Sequence, residues 1–392
     1  MSAGPDLSRA DRPYRLALGL ATLALLLGTW PLWVGSPDFP RVPLVRGLPA
    51  PVPELTFALL VAAVAGGGFR RWSMALAAAL LVVEVFQDQQ RFQPWVYQYV
   101  MAAVAFSCCP TSKALGLCRL FTVALYAHSA LSKLDVSFFD GLGPAYLPVG
   151  WNPASGPRMA AAMVVGELLV AFGLLGRRTR RLALGAAVGM HAVLIAVFGL
   201  WLDHSVSVLL WNAAFIAEDL ALFGPDALTP SASVEEHSPL APAATFVFLL
   251  AAILPLGERL GWVDPWPAFA FYAAHVERVE VLVPEGDAER LPGEIPRRVV
   301  SGDWHDGSQM LELDLTGWSR RARGVPVYPG GRASLGLAEW LIVRYGLEVN
   351  AEVRLWGRAH PWTGRRDVEV ARGLAGVRRL ADRRRLNAHA AP

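Results

Sequence analysis

The chain has 392 residues, of which 54% are hydrophobic and only 18% are charged, a composition too apolar for an ordinary soluble domain of this length. Its formal net charge of +3 is small, and no long basic stretch is interleaved with aromatic residues, which argues against a nucleic-acid-binding protein. Apolar blocks separated by short polar segments continue to about residue 258, whereas the chain after about residue 275 is arginine-rich and mixed. The sequence therefore predicts a membrane part followed by an aqueous domain.

The membrane part is predicted to be a polytopic transmembrane helical bundle of eight or nine spans within residues 1–260. Each span needs about 20 apolar residues, because the hydrocarbon core of a bilayer is about 30 Å thick. We interpret the first span as a retained helix, because it lacks the small-residue cleavage pattern of a signal peptide. The candidate spans are residues 15–34, 53–69, 72–87, 95–109, 113–134, 159–176, 181–202, 205–223 and 241–257.

Arginine clusters at alternate connections predict the orientation of the bundle. They lie between residues 9 and 15, at Arg70 and Arg71, and in the run RRTRR at residues 177–181. The positive-inside rule places such clusters in the cytoplasm, so we expect the N terminus there, in a bacterial inner membrane. With nine spans the C-terminal domain lies on the outer side, which we favour, and with eight spans it lies in the cytoplasm.

The chain after the bundle carries alternating strand and helix signals, which predict a small α+β extramembrane domain over residues 275–375. Valines at every second position (Val279, Val281 and Val283) are typical of a strand, and MLELDLTGW repeats this alternation. The stretch ASLGLAEWLIVRYGL indicates an amphipathic helix, and AEVRLWGRAHPWTGRRDVEV indicates two strands around a turn. Residues 376–392 form a basic tail that we expect to be disordered.

One lysine, Lys133, lies where the fifth predicted span ends. The only other lysine of the chain is Lys113, and arginine supplies the rest of its 36 basic residues. Lysine can lose its proton when it is desolvated, whereas arginine effectively cannot, so a lysine here is compatible with a site that uses a titratable amine. Spacing of three and four residues places Tyr126 and Ser129 on the helical face of Lys133.

Two interpretations of Lys133 remain open from the residues alone. It is either a base in a pocket, or a helix-end lysine that extends to the membrane interface and pairs with Asp135. His128 lies on the neighbouring stripe of the same helix and is the third candidate catalytic residue.

A second polar group lies between the third and fourth predicted spans, in the stretch FQDQQRFQPW. This density of hydrogen-bonding side chains predicts a polar pocket at the outer membrane face, and a solvated loop is the alternative. The candidate ligand-binding residues in this stretch are Asp88, Gln89, Arg91, Gln93 and Trp95.

Glu167 and His191 lie in the middle of two successive predicted spans, where ionisable groups are costly and usually functional. Gly166 and Gly173 permit a close approach of the two helices, so we expect Glu167 and His191 to form a pair. Such a pair can bind a proton, a metal ion or a polar group of a ligand, or it can be a structural hydrogen bond. No metal-binding motif such as HExxH is present, and we predict no metal site. The three cysteines, which we expect to be inert buried thiols, are Cys108, Cys109 and Cys118.

The stretch SKLDVSFFDG, which contains Lys133 and Asp135, resembles the vitamin K-dependent gamma-carboxylase-like family, also called HTTM-domain proteins. Members of this family carry Lys-Leu-Asp, one or two aromatic residues, an acid and a glycine at the outer end of a membrane helix. The run beginning at Asp88 is similar to an Asp-led segment of the family, and GELLVAFGLLGRRTRRLA is similar both to this family and to DoxX/MauE-type membrane proteins. The resemblance covers about residues 10–260. Where the family carboxylases have a second lysine, this chain has Ser132.

This resemblance implies that Lys133 is the base that deprotonates a reduced quinone of the vitamin K type, with Asp135 beside it. It also implies a carboxylase- or oxygenase-like reaction on a protein substrate. The residues that would position the quinol head group are Asp88, Gln93, Tyr126 and His128.

Three functional hypotheses follow from these observations. The first is a quinol-dependent membrane enzyme with a quinone or quinol as its cofactor. The second is a non-enzymatic, DoxX-like membrane anchor or redox accessory protein, in which Lys133 only pairs with Asp135. The third is a transporter, which buried Glu167 and Glu218 would permit, although no inverted repeat is evident. The expected partners are the lipid bilayer, a quinone, and a protein substrate or redox partner, with no nucleic acid.

Overall fold

The computed structural model describes residues 11–36, 38–48, 52–146, 155–224, 238–300 and 309–391. The chain divides into two compact units, each assembled from separate stretches of sequence. The first unit consists of Met1–Gly28, Thr56–Val82 and Pro94–Ala274. The second unit consists of Thr29–Leu55, Val83–Gln93 and His275–Pro392.

Helices form most of the described chain up to residue 260, as expected for apolar blocks rich in leucine and alanine. Turns with π-helical geometry, Phe138–Leu142 and Val197–Trp201, follow the sixth and ninth helices, and a 3-10 segment, Leu254–Leu260, follows the eleventh. The helices are α1 (Arg12–Gly28), α2 (Trp30–Val34), α3 (Pro53–Gly67), α4 (Arg71–Gln87), α5 (Pro94–Cys108), α6 (Thr111–Ser132), α7 (Gly143–Ala145), α8 (Gly156–Leu175), α9 (Arg180–Ala196), α10 (Val206–Phe223) and α11 (Ala241–Ile253).

Among the described residues, five helices are long and apolar enough to cross a membrane. They are α6, α8 and α10, together with α9 and α11 when their π-helical and 3-10 extensions are included. Large apolar side chains such as Leu169, Phe172 and Leu182 are exposed on α8 and α9, as expected for helices that contact lipid. The helices α1, α3, α4 and α5 are 15 to 17 residues long, which is shorter than the about 20 residues of a typical span. The protein is therefore mostly helical, with five helices of membrane-spanning length in the described chain.

In the first unit, α6 lies at the centre and packs against α5, α8, α10 and α11, while α10 packs against α1 and α9. The helices α8 and α9 approach closely at Gly173, where an added Cβ would lie 2.7 Å from the Cβ of Ala183. An added Cβ at Gly166 would meet no atom within 4 Å. The predicted close approach is therefore confirmed at Gly173 and wrong at Gly166, which faces open space.

An antiparallel sheet forms the centre of the second unit. Its strands are β1 (Arg278–Pro284), β2 (Arg297–Val300), β3 (Met310–Leu313), β4 (Glu352–Trp356) and β5 (Val368–Arg372), in the spatial order β2–β3–β1–β4–β5. Three helices accompany it, α12 (Leu315–Arg323), α13 (Gly331–Arg344) and α14 (Gly373–Asp382). The helix α13 packs against β1, and α14 packs against α13 and β5. The predicted strands at β1, β4 and β5 and the predicted helix at α13 are confirmed. The stretch MLELDLTGW is a strand only to Leu313, and its second half begins α12.

The second unit also contains residues 29–55 and 83–93, all of which the predicted boundaries placed in the helical bundle. Residues 83–93 belong to the second unit in part because Asp88 forms a buried ion pair there, in which its Oδ2 lies 2.5 Å from Nη1 of Arg323. This contact joins residues 235 positions apart, so the spacing of apolar residues could not reveal it.

The C-terminal stretch differs from the disordered tail that we expected after residue 376. The helix α14 buries Val377 and Leu380, and these side chains give it an apolar face to pack on the sheet. After this helix, Nδ1 of His389 lies 2.7 Å from a carboxyl oxygen of Glu339. The tail is therefore part of the folded second unit.

Candidate ligand site in the helical bundle

Lys133 is the residue at which α6 ends, and its side chain is turned into the first unit with only 2% of its surface exposed. Its Nζ lies 2.9 and 2.8 Å from the two carboxyl oxygens of Glu167 on α8. It also lies 3.0 Å from the carbonyl oxygen and 2.7 Å from Oγ of Ser129, one helical turn earlier. All three ammonium hydrogens therefore have acceptors, and Lys133 pairs with Glu167 rather than with Asp135, the partner that one of the two interpretations gave it.

Asp135 instead shapes the turn that follows α6. Its Oδ1 accepts a hydrogen bond of 2.9 Å from the backbone N–H of Phe138, and its Oδ2 lies 3.5 Å from Nη2 of Arg259. The same Arg259 nitrogen donates to three backbone carbonyls between Leu131 and Leu134, at 3.2 to 3.3 Å. Helix ends leave such carbonyls without partners, so Arg259 and Asp135 hold the end of α6 and fix the direction of Lys133.

A chamber of about 60 Å³, lined by both polar and apolar side chains, lies beside the Lys133–Glu167 pair. A cavity of this size holds water when polar groups line it. Besides the ion pair, the lining residues with polar groups are Tyr126, Ser129, Tyr146, His191, Trp211, Asn212 and Tyr272. The predicted helical face of Tyr126, Ser129 and Lys133 is therefore confirmed as one wall of a cavity.

An apolar groove of about 520 Å³ lies on the other side of Glu167, between α8 and α9. Among the described residues that line it, Glu167 is the only one with a carboxyl or amino group. Val193 and Trp201 line the groove and are more than half exposed, so the groove opens where lipid would surround the helices. The residues that line both cavities are Tyr146, Met163, Glu167, Met190, Leu194 and Phe198.

His191 takes part in a second polar network and does not pair with Glu167, so that predicted pair is wrong. Nε2 of His191 lies 2.7 Å from the hydroxyl oxygen of Tyr126, and this oxygen lies 2.6 Å from Oδ2 of Asp219. Nδ1 of His191 lies 2.8 Å from Oδ1 of Asn212. Sequence reasoning did not select Asn212 or Asp219, although an Asp next to a Glu inside an apolar span was a signal for the latter.

Two further predicted residues lie in the first unit but do not line the chamber. Nε2 of His128 lies 2.8 Å from the carbonyl oxygen of Ala252, and its ring stacks on Phe269. Trp95 is buried near the start of α5. The structure therefore gives neither residue contact with the Lys133–Glu167 pair.

The remaining predicted residues, at positions 88–93, belong to the second unit and are buried in it. Arg91 contacts Glu84 and donates to the carbonyl oxygens of Leu32 at 3.0 Å and Trp33 at 2.9 Å. Burial, followed by the charges of other arginines nearby, lowers the pKa of Arg91 to about 9, so it remains charged at neutral pH.

Asp88 and the glutamines of this stretch are engaged in the same way. Oδ1 of Asp88 accepts from the backbone N–H of Val42 at 3.3 Å, and Nε2 of Gln89 donates to a backbone carbonyl of Asn387 at 2.7 Å. Nε2 of Gln93 donates to the carbonyl oxygen of Gln90 at 2.6 Å. The stretch is therefore neither the expected polar pocket nor a solvated loop, because its side chains hold the second unit together.

In the part of the chain that the structure describes, no group of three or more His, Cys, Asp or Glu residues is arranged for a metal ion. The chain matches no protein-family model. It also matches no curated protein and no solved structure. The family suggested by the Lys-Leu-Asp stretch therefore remains a hypothesis.

Proposed function

We propose that this protein is an integral membrane protein of eight or nine spans that binds an amphiphile of the quinone or quinol class from the bilayer. The observation that carries the proposal is the position of Glu167. This residue lines both the chamber that holds the Lys133–Glu167 ion pair and the apolar groove. A ligand with a polar head and a lipid-like tail needs this combination at bilayer depth. The groove volume of about 520 Å³ also falls in the usual range of small-molecule sites, about 300–1,000 Å³.

In this proposal the groove receives the tail, and the Lys133–Glu167 pair receives the head group. The pair contains both kinds of group that a phenolic head group can use. The carboxylate of Glu167 accepts a proton from a hydroxyl, and the ammonium of Lys133 stabilises the negative oxygen that remains. The resemblance of SKLDVSFFDG to the vitamin K-dependent gamma-carboxylase-like family supports the quinol class for this ligand.

The proposed base differs in one respect from the one that the resemblance implies. An ammonium group that donates to a carboxylate has no lone pair with which to take a proton. Lys133 can act as a base only after it has passed its own proton to Glu167, whereas Glu167 can act directly. In both routes the pair gains one proton and the head group loses one. A reduced quinone would supply the oxygen chemistry of a carboxylase- or oxygenase-like reaction on a protein substrate, in the membrane and orientation that the arginine clusters predict.

A second candidate function has its own supporting observation. All three hydrogens of the Lys133 ammonium are used by Glu167 and Ser129, as in an ion pair that only clamps α6 to α8. The protein would then be a DoxX-like anchor or redox accessory without catalysis.

Thermal unfolding of the purified protein in lipid nanodiscs, with and without quinones and quinols, tests the proposal. We expect these compounds to raise the unfolding midpoint of the native protein. We expect this shift to disappear in Gly166→Phe, because the new ring would fill the groove at a position that is now open. The matched control is Gly185→Phe, since Gly185 lies on α9, is also open, and does not line the groove.

A second pair of variants tests the polar end of the site. Lys133→Arg keeps the positive charge but cannot yield a free amine. Its planar guanidinium also cannot place N–H groups where the three ammonium hydrogens of Lys133 lie. Lys113→Arg is the control, because Lys113 is the only other lysine and is exposed. If no quinone or quinol raises the unfolding midpoint of the native protein, the better hypothesis is the DoxX-like anchor or redox accessory without catalysis.

A further inference from the structure

Tyr126, His191, Asn212 and Asp219 form a second polar cluster in the bundle, and its hydrogen bonds restrict where the protons can lie. Nδ2 of Asn212 donates to the carbonyl oxygen of Val208 at 2.8 Å. A carbonyl can only accept, so this contact fixes the amide orientation and turns Oδ1 of Asn212 towards His191. Nδ1 of His191 lies 2.8 Å from Oδ1, which also can only accept. Nδ1 of His191 therefore carries a hydrogen.

The two remaining contacts need one more proton than tyrosine can provide. The hydroxyl oxygen of Tyr126 lies 2.7 Å from Nε2 of His191 and 2.6 Å from Oδ2 of Asp219. Two short hydrogen bonds meet at this oxygen, but the phenol has a single hydrogen. The second hydrogen must belong to Nε2 of His191 or to Oδ2 of Asp219.

Two proton arrangements satisfy the same heavy-atom positions. In one, a protonated Asp219 donates to Tyr126, which donates to a neutral His191. In the other, a doubly protonated His191 donates to Tyr126, which donates to an ionised Asp219. The two arrangements interconvert when the Asp219 O–H and the Tyr126 O–H break while new bonds form at Tyr126 and at Nε2 of His191. No atom is gained or lost, and the total charge stays the same.

We propose that Asp219, Tyr126 and His191 form a proton-binding site within the bundle, which holds one exchangeable proton and moves it between Asp219 and His191 through Tyr126. Oδ1 of Asp219 supports this assignment, because it is buried and has no hydrogen-bond partner among the described residues. An ionisable group in such surroundings is costly in a membrane and indicates a functional site.

Two cations lie around this site, and neither forms an ion pair with Asp219. Lys133 lines the same chamber but pairs with Glu167. Arg119 on α6 donates to the carbonyl oxygen of Leu222 on α10 at 2.8 Å.

From α1 Asp219 is faced by Tyr14, from α6 by Cys118, from α8 by Glu167 across the chamber, and Glu218 is its neighbour on α10. Glu218 accepts a hydrogen bond of 2.7 Å from Nε2 of Gln98 on α5. Within the described residues, no lysine or arginine forms an ion pair with Glu218 or Asp219. A proton is therefore the positive charge that Asp219 can bind.

The site opens towards the ligand chamber, because Tyr126, His191 and Asn212 line it. If the chamber binds a quinol as proposed above, the proton held here is available for exchange with the head group. This last step depends on the proposed function, whereas the binding of the proton does not.

Infrared difference spectroscopy during a pH titration of the full chain in nanodiscs, with no quinone added, tests the proposal. We expect the C=O band of a protonated carboxyl and the ring bands of isotope-labelled histidine to change together, with one midpoint, because one proton serves both groups. Asp219→Asn should abolish this carboxyl band, and His191→Gln should abolish the coupled ring bands. Glu218→Gln is the matched control, in which both signals should still change together with one midpoint.

Tyr126→Phe removes only the bridging oxygen and therefore provides the second test if Asp219→Asn fails to fold. We expect it to split the common midpoint into two. A single midpoint in Tyr126→Phe, an unchanged spectrum in Asp219→Asn, or carboxyl and histidine signals that titrate separately in the native protein would each overturn the proposal. Because no quinone is present, loss of quinone binding in other experiments would leave this result untouched.

Discussion

Removal of one partner from the Lys133–Glu167 pair should destabilise the helical bundle strongly. Lys133 is 2% exposed and the Glu167 side chain 12%, so either group left alone would be a charge without a counterion in an apolar setting. Breaking a buried ion pair in this way costs about 3–5 kcal/mol. Each kcal/mol lowers the midpoint by about 2–4 °C for units of 150–250 residues, so Lys133→Met or Glu167→Met should lower it by about 6–20 °C.

The double variant Lys133→Met/Glu167→Met separates the structural role of the pair from its proposed role in binding. Replacement of both charges by apolar side chains of similar length is often neutral or stabilising, because no charge remains buried alone. We therefore expect the double variant to recover most of the stability lost in the single variants. It should not recover stabilisation by quinones, because the polar groups that would receive the head group are gone.

Unfolding followed by tryptophan fluorescence in nanodiscs, at one pH and with and without quinone, measures both quantities. If the double variant loses as much unfolding free energy as the two single variants lose in sum, burial of an unpaired charge does not explain their instability. A double variant that is stable and still stabilised by quinones would instead exclude the pair from the ligand site.

Three further predictions concern residues that support the site and the second unit. Arg259→Met should lower the unfolding free energy of the bundle by about 1–3 kcal/mol, because backbone carbonyls at the end of α6 lose their donor, and unfolding in nanodiscs measures this loss. Arg323→Met should destabilise the second unit by about 3–5 kcal/mol, measured by hydrogen exchange of its strands. The exposed pair of Arg298 with Glu312 provides the control, since its loss should cost at most about 1 kcal/mol. Gly173→Leu should lower the unfolding free energy of the bundle by about 1–3 kcal/mol, because the larger side chain would push α8 away from α9. Gly166→Leu should lower it little, because Gly166 faces open space.

The elements of the fold follow closely from the sequence, and their association does not. Apolar runs of about 20 residues locate the longest helices because burial in lipid requires that length and composition. Alternating valines and two strands around a turn similarly locate β1, β4 and β5. The assignment of residues 83–93 to the second unit depends on Asp88 meeting Arg323. That contact depends on the folded path of the chain between them, which local periodicity does not record.

The candidate site shows the same division. Spacing along one helix correctly places Tyr126, Ser129 and Lys133 on one face, because residues three and four apart are neighbours on a helix. It gives no information about the helix that packs there, so Asp135 was the only partner considered for Lys133, and Glu167 is found.

The amino-acid sequence by itself determined which apolar segments form the long helices of the first unit, which residues carry costly polar groups inside them, and which lysine is unusual. Only the tertiary structure decided how those groups pair, because hydrogen bonds and ion pairs depend on distances of about 3 Å between side chains on different helices. The packing of α6 against α8 therefore turns a lysine at a helix end into half of a buried ion pair, and the apolar groove beside that pair exists only where α8 and α9 lie together.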